Sequence, residues 1–421
     1  MSAKSQKFGK YQLIHRIAVG GMAEIFVARS EGLEGFKKTV VIKRIRPHLS
    51  GRTEFVTMFL NEAKLAAQLN HSNIAQIYDL GRIGDSFFIA MEYVQGRDMR
   101  TIVPKAEKMD IPFPMEYSLK IASEACEGLY YAHRKADEDG NALNIVHRDV
   151  TPENIMVSFD GEVKLLDFGI AKAENLVSET RAGEIKGKLG YLSPEQVTCK
   201  NVDQRSDLFS LGTVLYEWIT GYKLFGGGSD VDVLRNVVEG KIYPPSYFKE
   251  DIPAAVEDIL MRVLQRNREE RYQTAWEMKF DLDQFLARHE FTPSSIHLSN
   301  FMRQIFQDEL AEETRKLGGG LEHVFEAAEA GTDLIAAERV KRAQTGTKSE
   351  KPVVLGNEKP AGSNPDALEA ELLASRDGHL SVTLDIEKQE AERLMAVAER
   401  NNMTLSELIR DLLRQFTKYV D

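Results

Sequence analysis

The chain has 421 residues, 43% apolar and 28% charged, with 54 Lys and Arg against 65 Asp and Glu for a net charge of −11. That length exceeds one compact core and points to two or more domains, while the acidic balance excludes broad, sequence-independent nucleic-acid binding, which needs a basic face. Two cysteines, Cys126 and Cys199, are too few for a disulfide framework and lack metal-ligand spacing; the N-terminus has no apolar signal core, so the expected location is cytoplasmic, with no membrane attachment.

Residues 1–10 read as a tail. From Tyr11 to about residue 94 the pattern is strand-rich, with YQLIHRIA, AEIFVARS and KTVVIKRI as short β-type runs. One amphipathic helix, TEFVTMFLNEAKLAAQL, follows them, with Phe55, Phe59 and Leu65 expected on its buried face. Residues 95–290 shift to helical periodicity, in SLKIASEACEGLYYAHR, SDLFSLGTVLYEWITG and DILMRVLQR. The most apolar stretch, LFSLGTVLYEWITGYKLF, carries Glu217 and Lys223 and reads as a buried helix rather than a membrane span. Residues 291–317 read as one appended amphipathic helix. Residues 318–378, rich in Gly, Pro, Ser, Lys and Glu, have linker composition. Residues 379–421 read as strand, helix, turn, helix, with Leu380, Val382 and Leu384 alternating with polar residues and a capping box at Thr404 and Glu407.

Within the first two regions lie the parts that phosphoryl transfer asks of a protein: a covering turn, a cation, metal ligands and a base. Between two β-type runs stands I-A-V-G-G-M-A-E-I-F-V-A, spanning Ala18, Val19, Gly20, Gly21, Met22, Ala23 and Ile25. Against a G-x-G-x-x-G-x-V phosphate loop only Gly20 is kept, and Ala18 and Ala23 can stand close to phosphate if their backbone stays at negative φ. T-V-V-I-K ends in Lys43, a cation for phosphates, and Glu62 in the following helix is placed to fix its ammonium. The strongest signal is HRDVTPENIMVSFDGEVKLLDFGIAK. There Asp149 suits a base for an acceptor hydroxyl, while Asn154 and Asp167 suit Mg2+; the intervening hairpin would return Asp167 beside Asn154.

On these motifs, residues 11–290 resemble the eukaryotic-like Ser/Thr protein kinases of bacteria. The resemblance implies an α+β, bilobal kinase fold with an N-lobe over 11–94 and a C-lobe over 95–290, using ATP and Mg2+ on protein substrates. It makes FFIAMEYVQGRDM the interlobe hinge, with Met91 behind the adenine, Glu92 to Val94 bonding it and Asp98 near the ribose. GYLSPEQ then resembles the A-P-E motif, its Glu195 pairing with Arg271, and Asp207 braces the catalytic loop. His147 is implied to be structural, and Arg148 to await a phosphate in the activation segment, where Ser178 and Thr180 are the candidate acceptors. Two departures stand out: Thr151 replaces the usual lysine two residues after Asp149, and Lys188 stands where threonine is common. Lys43, Asp149, Asn154 and Asp167 all remain, which favours an active kinase over a pseudokinase scaffold.

The C-terminal pattern resembles ribbon-helix-helix repressors, whose strands pair across a dimer into a DNA-reading ribbon. From His379 onward six Lys and Arg face eight Asp and Glu. The charge therefore ranks a homodimerisation unit above DNA binding, with a kinase coupled to DNA as the remaining alternative.

Overall fold

Alternating apolar residues build an antiparallel sheet from β1 (Gln6–Phe8), β2 (Tyr11–Val19), β3 (Ala23–Glu31), β4 (Lys37–Ile45), β5 (Ile77–Ile83) and β6 (Ser86–Glu92), in the order β1-β2-β3-β4-β6-β5. In the computed structural model the described residues are 6–31, 37–169, 187–289 and 291–316, with two further short strands, Ala367–Ala370 and Leu384–Glu387. Side chains alternate across a strand, so Val40 and Ile42 of β4 face a cluster with Phe8, Tyr11, Leu13 and Phe88. Lys43 and Ile45 take the other face. There Ile45 packs with Phe59 and Ala63 of α1 (Thr53–Ala66). Phe59 and Ala63 are the buried positions of that helix, while Phe55 and Leu65 are half-buried.

The expected tail is partly ordered into the sheet. Gln6–Phe8 pairs with β2, because Phe8 is apolar enough to be buried edge-on against Phe88 at 5.4 Å between ring centroids.

A three-stranded sheet opens the helical lobe: β7 (Gly96–Asp98), β8 (Ile155–Ser158) and β9 (Val163–Leu165). Helices α2 (Met99–Lys108) and α3 (Met115–His133) lie between β7 and β8 in the chain. The helix Gln204–Thr220 is buried almost all round. Its interior hydroxyls are satisfied by carbonyls one turn back: Ser210 donates to Ser206, Thr213 to Phe209 and Thr220 to Tyr216. A helix apolar on every side belongs in the core of a large lobe. Among the described residues no helix is long and apolar enough to cross a membrane.

The single appended helix expected over 291–317 is two helices, Ser295–Ile305 and Gln307–Lys316. The break falls at Phe306 (φ −120°, ψ 27°), whose buried ring meets Phe159 edge-on and lies against the Arg97 guanidinium. Gly161 (φ +81°) admits this docking, since a Cβ there would sit 1.8 Å from the Ser295 carbonyl oxygen. Arg303 and Ser299 both donate to the Phe159 carbonyl, and Lys105 pairs with Glu309 at 2.6 Å. Glu313 pairs with Arg97 at 2.9 Å and accepts a hydrogen bond from Tyr93.

The C-terminal strands form a unit of their own, with Leu368 opposite Ile386 in an antiparallel pair. Ala367–Ala370 falls within the stretch read as linker, and Leu384–Glu387 starts where the alternation of Leu380, Val382 and Leu384 ends. The two helices read after it lie outside the described residues.

Candidate active site

Between the lobes lies a cavity of about 870 Å³. Its roof is the hairpin turn from β2 to β3, where Ala18 opposes Ile25, Val19 opposes Glu24, and the Gly20 N–H donates to the Ala23 carbonyl at 2.9 Å. Val19, Gly20, Met22, Ala23 and Ile25 line the cavity; Ala18 and Gly21 are not on its wall. Neither Ala18 nor Ala23 has positive φ, so both alanines keep an unstrained backbone in the roof. A Cβ on Gly20 would meet only the Ala23 carbonyl oxygen, at an ordinary 3.6 Å. The turn itself therefore does not demand glycine there.

Lys43, opposite Ile25 on β3 and Ile89 on β6, points from β4 into the cleft. Its Nζ stands 3.2 Å from Glu62 Oε1 and 3.0 Å from Asp167 Oδ1. Burial works strongly against the ammonium, yet the two carboxylates outweigh it and hold the Lys43 pKa above its ordinary value. α1 brings Glu62 to this point. The β8–β9 hairpin brings Asp167, because the Leu166 N–H donates to the Asn154 carbonyl at 2.9 Å. Asp167 itself has φ +43°, in the left-handed region that aspartate tolerates better than most residues and that concentrates at functional sites.

The loop from His147 to Asn154 is held from below by Asp207, buried in the first turn of the helix Gln204–Thr220. Its carboxylate accepts the backbone N–H groups of His147 and Arg148, each at 2.8 Å, and lies 2.8 Å from His133 Nε2. These bonds hold Arg148 at φ +64°. Burial pushes the His147 pKa down, so the neutral ring donates from Nε2 to the Leu166 carbonyl (2.9 Å) and accepts the Asp149 N–H at Nδ1 (3.3 Å). Both nitrogens are thus used in supporting the loop. Asn154 donates its amide to the Asp149 carbonyl at 2.7 Å and to Asp149 Oδ2 at 2.8 Å, aiming the carboxylate into the cavity that Asp149, Asn154 and Asp167 line together.

Met91 is buried and lines a smaller space of about 20 Å³ behind Lys43, with Glu62, Ile77 and Phe168. The Glu92 carboxylate is engaged by Lys164 (2.8 Å) and by the Gln76 N–H (3.1 Å). Val94 is buried beside Met91. Asp98 caps α2, its Oδ1 accepting from the Thr101 N–H and hydroxyl at 2.8 Å each. Neither Glu92, Val94 nor Asp98 is on the wall of the large cavity. Away from the cleft, Arg271 meets Glu195 in a bidentate pair at 2.8 and 3.0 Å. Ser178 and Thr180 lie outside the described residues.

Sequence reading missed three supports. His133 on Asp207 and Gln196, which donates to the Arg148 carbonyl at 2.9 Å, are remote in sequence from the motifs they serve. Glu313 reaches the hinge residue Tyr93 from 220 positions away, and no spacing signals it.

The donor set fits a nucleoside triphosphate with Mg2+. No group of three or more His, Cys, Asp or Glu able to hold a metal occurs among the described residues. Mg2+ needs no such cage: it is held by one or two protein oxygen ligands, substrate phosphates and water, which Asp167 and Asn154 suit.

A family model for the protein kinase domain matches residues 11–281. Among curated proteins, the tyrosine-protein kinase MasK of Myxococcus xanthus is 40% identical over 312 residues, 74% of this chain and 48% of that protein. The serine/threonine-protein kinase PknB of Mycobacterium leprae is 39% identical over 278 residues, 65% of this chain and 42% of its own length. The chain thus spans less than half the length of these relatives. Among solved structures, the kinase domain of Mycobacterium tuberculosis PknI superposes with a TM-score of 0.50 at 23% identity, covering 67% of this chain and 98% of that one, a likeness of fold.

Proposed function

This chain belongs to the protein kinase family, and we propose that it transfers the γ-phosphate of ATP to serine and threonine hydroxyls of protein substrates. One observation carries the reading: Lys43 is held between Glu62 and Asp167 on the same cavity that Asn154 turns Asp149 into. A pseudokinase scaffold would have no need to keep all of these groups together. When bound, Mg2+ supplies positive charge to the phosphates during transfer. Asp167 and Asn154 would hold it, Lys43 would orient the phosphates, and Asp149 would take the proton of the acceptor hydroxyl. The roof turn from Val19 to Ala23 would cover the phosphates, and the hinge from Met91 to Val94 would receive the adenine. Cytoplasmic proteins are the proposed substrates, in keeping with two free cysteines, Cys126 and Cys199.

Incubating the full chain with γ-labelled ATP, Mg2+ and a mixed-acceptor protein should place label on serine and threonine, and EDTA should remove the activity. A tyrosine acceptor is the second reading, favoured by the name of the Myxococcus xanthus relative and by the missing lysine at Thr151. Label on phosphotyrosine alone would overturn the Ser/Thr assignment.

Regulation by autophosphorylation at Ser178 or Thr180 follows from Arg148, a cation beside the base that a phosphate in the activation segment would neutralise. Dimerisation through residues 379–421 would raise the local concentration of one kinase domain near the other's segment. Peptide mapping after incubation with Mg-ATP should find phosphate on Ser178 or Thr180, formed more slowly at low concentration when residues 379–421 are deleted. An active chain with an unmodified segment overturns the first expectation; an unchanged rate on deletion overturns the second. With a net charge of −2 in that unit, DNA binding ranks below dimerisation.

A further inference from the structure

Two unexplained residues share the wall of the cavity with Asp149. Thr151 is 2% exposed, and its hydroxyl is buried with no hydrogen-bond partner among the described residues. Lys188 places its Nζ 3.7 Å from Asp149 Oδ2, with a side chain about one-third exposed. Both line the cavity, as do Lys43, Asn154 and Asp167.

Lys188 is not a loose surface lysine. The turn that follows it, Leu189–Tyr191, is anchored by the buried side chains of Leu189 and Tyr191. The Tyr191 hydroxyl donates to Glu217 Oε2 at 2.5 Å, and burial together with the Glu217 carboxylate pushes the Tyr191 pKa up, so the donor stays protonated. Gln196 ties the same segment to the Arg148 carbonyl. The ammonium is thereby delivered to the base by a fixed stretch of chain. At 3.7 Å it is within ion-pair range but longer than a charge-assisted hydrogen bond of about 2.7–2.9 Å, which leaves its N–H groups available to another acceptor. Lys43, by contrast, is already shared between Glu62 and Asp167.

Transfer spreads negative charge over the oxygens of the moving phosphoryl group, between the metal ligands and the base. A preorganised cation there stabilises the transition state more than the ground state. Thr151, a neutral hydroxyl, cannot provide it. The geometry points to Lys188 as a further catalytic residue, the cation that meets the transferred phosphoryl group beside Asp149. This assignment rests on the kinase reading above. In the step, a bond forms between the acceptor oxygen and the γ-phosphorus, and the bond from that phosphorus to the β–γ bridging oxygen breaks. ADP leaves with the electron pair, the hydroxyl proton passes to Asp149, and Lys188 stays protonated while donating to a phosphoryl oxygen. The residue types at 151 and 188 are exchanged relative to the pattern the sequence resembles, so the charge has changed its carrier rather than disappeared.

The test compares full-length wild type, Lys188→Gln, Lys188→Arg, Lys188→Thr and the exchange variant Thr151→Lys with Lys188→Thr, in steady-state transfer from ATP with melting temperatures alongside. Loss of the cation should lower kcat by about tenfold or more, with KM for ATP within about twofold and melting unchanged. Lys188→Arg should keep most of the rate, and the exchange variant should recover much of what Lys188→Thr loses. A kcat for Lys188→Gln within threefold of wild type, or a loss confined to KM, overturns the role of Lys188. A wild type that transfers no phosphate overturns the kinase reading instead, so the two failures are distinct.

Discussion

Asp149→Asn is expected to lower phosphate transfer from ATP by roughly 10²- to 10⁴-fold, the usual contribution of a positioned general base. The substitution is close to isosteric, and the surroundings can absorb it. Asn154 donates to Asp149 Oδ2 at 2.8 Å, and an asparagine oxygen can accept the same bond. The backbone N–H of residue 149 still donates to His147, and Asp207 still holds the loop through His147 and Arg148. The variant should therefore melt with the wild type and bind nucleotide with an affinity within a few fold, so that the loss falls on kcat. Lys43→Met is the companion. It removes the ammonium between Glu62 and Asp167 and leaves two carboxylates facing each other across the phosphate site, so its loss should appear in nucleotide binding as well as in rate. Retention of activity within tenfold of wild type by Asp149→Asn would falsify the assignment of the base.

The groups behind this prediction were legible because they lie in short contiguous motifs. Asp149 and Asn154 are five residues apart, and a hairpin of apolar strands suffices to return Asp167 to them. Lys43 and Glu62 needed one further inference, that a strand and the next helix pack face to face, and alternation along T-V-V-I-K supplies it. What could not be read depends on contacts between distant elements. Nothing local in His133 distinguishes it from any helix-terminal histidine, yet it completes the shell of Asp207. The Gln6–Phe8 strand is short, and its pairing is decided by a single ring, Phe8, finding Phe88. The break at Phe306 likewise follows from the position of Phe159 and Arg97, not from a helix-breaking residue. Thr151 was legible as a departure, but its burial and the lack of a partner for its hydroxyl among the described residues were not. That difference turns a question about a missing lysine into one about where the charge went.

Arg271→Met should destabilise the helical lobe by about 3–5 kcal/mol, the range for breaking a buried ion pair from one side. Arg271 is 1% exposed, and its guanidinium is fully engaged: bidentate to Glu195, with further bonds to the carbonyls of Gln265, Arg266 and Arg205. Removing it leaves those acceptors and the Glu195 carboxylate in a dry interior, with the Ser206 hydroxyl (2.6 Å) and the Glu195 backbone N–H still donating. The sign of the pH dependence separates this account from a simple cavity effect. In the wild type burial opposes the Glu195 charge, but Arg271 and Ser206 prevail and hold the carboxyl below its ordinary value. A depressed folded pKa means stability that is present above the unfolded value of about 4.3 and is lost as pH falls through the folded one. Without the guanidinium burial prevails and the carboxyl moves above its unfolded value. Its contribution is then greatest below about pH 4.3 and is lost as pH rises through the raised pKa. The gap in melting temperature between wild type and variant should therefore widen with rising pH from the acid range toward neutrality. Adding Glu195→Gln to Arg271→Met should remove the part of that widening above about pH 4.3, leaving only the wild-type carboxylate's own loss in acid, and recover part of the stability at pH 7. A pH-independent gap would show that lost packing around residue 271, rather than the stranded carboxylate, sets the cost.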